Sequence, residues 1–279
     1  MGFIAIVGSG ALGGAVAHAL AERDRVPGVR LVDPSGTIAR GKALDIQQSA
    51  PIDAFTVRLT SGEALESAVG ADAVVIADAA NGGEHGGEAG LALVRRLVRA
   101  GSTSPIVFAG AGQRDLIKKS LTELHLPRTR VLGSAPLALE SALRAMTALA
   151  LDGSGADVTL QVVGAPPSGA VVAWEEASAF GQPLSSQLAA HTIASLNARI
   201  PSLWPPGPYA LAAAAARVIE GILNGSRRRF SCFVAVGSGS ANVAVGSMPV
   251  RVGRDGVVQV YEPALTRQER TKVENALFS

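Results

Sequence analysis

The sequence predicts an α/β protein, with a doubly wound parallel sheet in its first half and an α+β arrangement in its second. Three observations carry this. An apolar run, Phe3 to Val7, meets a glycine cluster at Gly8, Gly10 and Gly13. Apolar runs then alternate with helical patterns to about residue 134, the rhythm of parallel strands joined by crossover helices. After residue 135 that rhythm stops, and helical and strand-like segments arrive in blocks. The chain is therefore read as two units, 1–134 and 135–279.

In the first unit, strands are predicted at 3–7, 29–33, 55–59, 72–78, 105–109 and 130–133, and helices near 11–23, 39–49, 62–69, 87–101 and 114–125. The opening strand, turn, helix and second strand end in Asp33, about 20 residues past the last glycine. Each part has a physical task in binding a dinucleotide. Gly8 permits a tight turn, Gly10 leaves room for a pyrophosphate, and Gly13 lets the helix pack on the strand. The backbone N–H groups at the helix start, around Ala11, Leu12 and Gly13, would receive the phosphate charge. Asp33 would accept hydrogen bonds from both ribose hydroxyls, and it would repel a 2'-phosphate. NAD is thus the expected cofactor, ahead of NADP.

The second unit opens with a helical segment, Leu137 to Leu151, and a strand-like run, Asp157 to Val163. Helices are predicted near 170–180 and 185–200, the latter ended by the Pro-rich link at 204–208. A helix at 209–224 follows, then strands from Phe230 to Val236 and from Ala241 to Val252. The sequence GRDG at 253–256 signals a tight turn into a short strand at 257–261. A last helix at 266–278 carries a capping box, Thr266 with Glu269.

Composition narrows the classes. Of 279 residues, 48% are hydrophobic and only 4% aromatic, so a large aliphatic core is available. A net charge of +2 and a single basic cluster, Arg227 to Arg229, give no stripe for nucleic acid. No uninterrupted apolar run is long enough to span a membrane. The lone cysteine, Cys232, lies in an apolar run and is expected to be a buried thiol. No Cys/His spacing suggests a metal. The chain enters a strand without the charged start of a signal peptide, and a cytoplasmic location is expected.

Several stretches resemble the lactate/malate dehydrogenase family, over nearly the whole chain. GSGALGG (8–14) resembles its nucleotide loop, and GKALDIQQSAP (41–51) its second-helix signature, with Asp45 in the matching place. RVLGSAPLALESALRAMTALAL (130–151) lines up with the passage into the substrate domain, and VVGAPPSGAVVAWEEASAFGQPL (162–184) with the stretch that carries the catalytic histidine. PYALAAAAARVIEGILNGSRRRFSCFVAV (208–236) resembles the late helix and following strand. The resemblance implies a Rossmann domain followed by an α+β substrate domain. It also implies a hydride exchanged with NAD, a histidine that moves a proton, an aspartate that orients the histidine, and arginines that bind the substrate.

The matching positions hold other residues. The histidine falls on Pro166, the aspartate on Leu139, and the carboxylate-clamping arginine on Ala142. The arginines of the mobile loop fall on Gly82 and Glu88, and an asparagine after the fifth strand falls on Gly112. Glu84 and Glu88 would repel a 2-oxo acid. Arg144 matches a different family arginine, on another helix face. The substitutes within reach are His85, in the glycine-rich loop at 81–90, and Glu140, beside Leu139. His18, His125 and His191 read as helix-face or surface residues.

Three functions follow from this pattern. The chain binds NAD without ordinary malate or lactate dehydrogenase activity; or it is an oxidoreductase on an altered small-molecule substrate; or it keeps the fold and has lost NAD as well. The resemblance further implies a homo-oligomer, dimer or tetramer, with an apolar helix at 39–50 compatible with a symmetric interface.

Overall fold

The computed structural model describes residues 2–237 and 243–278. Its first half alternates as the sequence predicts. Strand β1 (Ile4–Val7) leads to helix α1 (Ala11–Arg23), β2 (Gly28–Val32) to α2 (Gly36–Asp53), and β3 (Arg58–Gly62) to β4 (Ala73–Ile76). Helix α3 (Gly87–Arg99), β5 (Ile106–Phe108), α4 (Arg114–Thr122) and β6 (Val131–Gly133) complete it. The central strands β1, β4 and β5 are continuous apolar runs because helices cover both faces of a parallel sheet, whereas β3 (RLTSG), at its edge, is mostly polar. β1 is its centre: Ile4 registers with Val29 of β2 on one side and Ala73 of β4 on the other.

Helix α5 (Ala135–Ala150) begins the second half. The strands β7 (Val158–Thr159), β8 (Val162–Ala165), β9 (Gly169–Val172), β10 (Ser178–Ala179) and β11 (Gln182–Pro183) follow. Then come α6 (Leu184–Gln187), α7 (Ala190–Arg199) and α8 (Pro208–Asn224). The chain closes with β12 (Phe230–Val236), β13 (Ala244–Gly253), β14 (Gly256–Val260) and α9 (Arg267–Phe278).

The strand order is β3-β2-β1-β4-β5-β6-β12-β13-β8-β9, with β14 also paired to β13. The first six strands are parallel, and the antiparallel strands extend the same sheet, Phe233 of β12 registering with Gly133 of β6. A small second sheet joins β11, β10 and β7. One apolar core runs from Ile4 through Phe108 to Phe233 and Val250, and a smaller one gathers Leu139, Leu143, Trp174 and Ile200.

Several elements differ from the sequence reading. The helix expected at 170–180 is instead strand β9, a 3-10 turn at Trp174–Glu176 and strand β10. The run VVGAPPSGAVV folds back on itself, with Val162 opposite Val172, so hairpin pairing overrides the helical pattern. The helix at 62–69 shrinks to a 3-10 turn, Leu65–Ala68. The third strand slides to Arg58–Gly62, where it registers with β2. The strand at 157–163 splits because its two ends pair in different sheets. The helix at 185–200 divides into α6 and α7. The strand expected from Ala241 begins at Ala244, and positions 241 and 242 lie outside the described residues.

Candidate functional site

The strand order reverses at β1 and β4, and the crevice at the C-terminal ends of these strands is where such a sheet offers a ligand site. Three segments meet there: the loop from Gly8 into α1, the turn from Asp33 into α2, and the segment from Ala77 to Gly86 that follows β4.

Gly8 adopts φ +105°, a conformation that side chains resist. At Gly10 a side chain would strike the carboxyl group of Asp78. That carboxyl lies where the sequence had left room for a pyrophosphate. Helix α1 has no side-chain cap of its own. Asp78 supplies one from the end of β4: Leu12 N donates to its Oδ2 at 3.0 Å, and Gly13 N to its Oδ1 at 2.8 Å. Gly10 N donates to the Asp78 carbonyl at 3.0 Å. The Asp78 side chain is buried. Both side-chain bonds are charge-assisted, and the helix N-terminus favours the negative charge.

Asp33 is also enclosed. Ser9 N and Ala80 N each donate to its Oδ2 at 2.9 Å, and Ser35 N donates to its Oδ1 at 2.8 Å. Burial alone would raise its pKa, but the three backbone amides outweigh burial and hold the carboxyl below its ordinary value. Here Asp33 ties three loops together, and both of its oxygens are engaged.

The segment after β4 folds back on itself. Asp78 and Glu84 form an antiparallel bridge, and Ala79 N donates to Gly83 O at 3.1 Å. Glu84 reaches the turn before α4, where its carboxylate accepts from Ala111 N at 2.9 Å and Gly112 N at 2.7 Å. Buried Gln113 fixes the same segment by donating to the carbonyls of Ala77 at 3.1 Å and His85 at 3.0 Å. The glycine-rich loop is thus held down on the crevice. Glu88 points elsewhere: it pairs with Lys119, which pulls its pKa down. Gly82 sits at the exposed tip of the turn.

His85 is half-buried and borders a cavity of about 620 Å³, lined among others by Val7, Val32, Pro34, Leu65 and Leu93. Burial lowers its pKa, against the opposing pull of Asp33 and Asp78, which favours the uncharged imidazole. His18, His125 and His191 are exposed.

The remaining positions singled out by the sequence do not form a proton relay. Leu139 is fully buried in the smaller apolar core. Pro166 is buried in the β8–β9 hairpin, and Ala142 is half-buried on α5. Glu140 lies beside Ser231 of β12, with Arg144 at 3.9 Å, and burial pushes its carboxyl up to about 7. Arg144 also donates to Gly155 O at 2.9 Å. Among the described residues, no cluster of His, Cys, Asp and Glu could hold a metal, and no helix is long and apolar enough to cross a membrane.

In this arrangement the start of α1 does not fit the pyrophosphate of NAD. A pyrophosphate would meet amides that already hold Asp78, whereas Asp33 accepts only one hydrogen bond at Oδ1 and could still receive a ribose hydroxyl. Sequence reasoning missed Asp78 and Gln113, and it read Glu84 only as a loop charge. The one available signal was an acid at the end of the strand beside the glycine loop, in IADAANGGE.

No family model matches the chain. It is 28% identical to malate dehydrogenase from Chloroherpeton thalassium, over 97% of this chain and 94% of that protein. It is 29% identical to L-lactate dehydrogenase A from Rhizopus oryzae, over 95% of this chain and 87% of that protein. Among solved structures it superposes with TM-score 0.85 on the Cryptosporidium parvum lactate dehydrogenase complexed with lactic acid and NAD, at 21% identity over 99% of this chain and 94% of that one. Over nearly its whole length, this chain is related to malate and lactate dehydrogenases, and it has their fold.

Proposed function

We propose that this chain is a divergent member of the lactate/malate dehydrogenase family that has lost ordinary malate and lactate turnover. What supports this reading is the joint replacement of chemical groups that the resemblance implies, together with where those positions lie in the fold. Pro166 has no proton to transfer, Leu139 is sealed in an apolar core, and Ala142 offers no clamp for a carboxylate. Gly82 and Glu88 stand where the loop arginines would be, and Glu88 is paired with Lys119. Losing a proton donor alone lowers rates by about 10²–10⁴. The functional division is proposed to follow the sequence reading, a dinucleotide half at 1–134 and a former substrate half at 135–279. The NAD expected of such a crevice would have to displace carboxylates that the chain has placed there itself.

A second reading, an oxidoreductase acting on an altered substrate, neutral or cationic, draws on His85, whose pKa burial lowers and which borders the crevice. Self-association is proposed through α2 and α8, where Leu44, Ile52 and Tyr209 are exposed. A groove of about 590 Å³ between α1, α2 and α8 borders that face.

The test is an assay of oxaloacetate and pyruvate reduction with NADH. No turnover is expected. A rate of about 1 s⁻¹ or more, within the ordinary range for enzymes, would refute the main reading. Reduction of uncharged carbonyl compounds that is lost in His85→Ala would establish the second.

A further inference from the structure

We infer that Asp78 is a resident substitute for a cofactor phosphate, so that the chain fills its own anion site and excludes phosphate-bearing ligands. The inference rests on the reading above only in taking a dinucleotide as the probe.

Two separate contacts support it. The Asp78 carboxylate places one oxygen on each of two successive amides at the N-terminus of α1, Leu12 and Gly13. That is the hydrogen-bond pattern a phosphate uses at a helix start. The second contact repeats the arrangement across the crevice. Glu84 places its two oxygens on the successive amides of Ala111 and Gly112, just before α4. Glycine matters at both places, because a side chain at Gly10 would strike Asp78 and one at Gly110 would strike Glu84. The Asp78–Glu84 bridge puts both acids on one folded segment, and Gln113 anchors that segment from below. The crevice is therefore closed by a single piece of chain carrying two carboxylates.

A tethered carboxylate has an advantage over a free phosphate. It competes at an effective concentration of about millimolar or more, which a dissolved ligand must exceed. Once displaced, Asp78 would still sit beside the incoming phosphate as a like charge. A nucleoside without phosphates meets neither obstacle.

The experiment compares wild type, Asp78→Ala and Asp78→Asn by calorimetric titration with NAD, ADP and adenosine. Wild type is expected to show no NAD or ADP binding at about millimolar ligand, and Asp78→Ala to bind both at least about tenfold more tightly. Asp78→Asn, which keeps the shape and loses the charge, should fall between them. Adenosine should not distinguish the three. In wild type labelled for NMR, adding NAD should leave the Leu12 and Gly13 amide resonances in place, a measurement that needs no variant to fold. Equal NAD affinity in wild type and Asp78→Ala, no gain in either variant, or a shift of those two resonances in wild type would overturn the inference. Turnover of oxaloacetate, by contrast, would count against the loss of activity proposed above.

Discussion

At the scale of single residues, the acids of this protein do unlike work. Asp33 holds three backbone amides, from Ser9, Ser35 and Ala80. Asp33→Ala would leave those donors unpaired in a buried place, where each costs about 1–3 kcal/mol, so a stability loss of roughly 3 kcal/mol is expected in urea denaturation. A loss below about 0.5 kcal/mol, the usual size of a neutral surface change, would show that the bonds are dispensable. Glu140 is opposite in character. Burial raises its pKa from 4.5 to about 7, although Ser231 and Arg144 favour its charge. Between those values the unfolded chain has ionised while the folded chain keeps its proton, so folding is penalised increasingly from pH 4.5 to about 7 and constantly above. Glu140→Gln should therefore raise the melting temperature at pH 8 and change it little at pH 4.5. An equal effect at both would contradict the assignment. The sequence made the glycines and Asp33 legible because their spacing is local. Asp78 was not, because an aspartate ending a strand looks ordinary until the fold sets it opposite Gly13, 65 residues earlier.

At the scale of elements, the segment from Ala77 to Gly86 decides what the crevice can accept. It is rich in glycine, and nothing in its composition reveals that Glu84 docks on the turn before α4. Glu84→Ala should speed hydrogen exchange at Ala111 and Gly112 while leaving β1 and β4 protected. Unchanged exchange would mean that the carboxylate does not hold the segment. The last helix shows local code at its clearest. Thr266 N donates to Glu269 Oε2 at 2.9 Å, and Glu269 N donates to Thr266 Oγ1 at 3.3 Å, so both bonds of the expected capping box are present. Thr266→Ala should cost about 1 kcal/mol. Periodicity misled where pairing with a neighbouring strand decides. The run from Ala170 to Val172 lies within the helix the sequence predicts although its two valines suit a strand, and β8 pairs with it as one.

At the scale of the whole molecule, the parallel sheet was legible because strands alternate with helices along most of the first half. The union of the two halves in one sheet was not, since no local pattern announces that β12 will lie against β6. The exposed face of α2 and α8 belongs to this scale too. If it joins two copies, Leu44→Glu combined with Tyr209→Glu should reduce the mass seen by light scattering to that of a single chain. A monomeric wild type would remove that proposal. The join at β6 also limits how this architecture can be inherited. Cut after residue 134, the first half would expose Val131 to Gly133, all buried in the intact chain, as an unprotected hydrogen-bonding border. Such a fragment should precipitate or pair with its own copies, and neither half could be exchanged with another lineage unless the border were rebuilt.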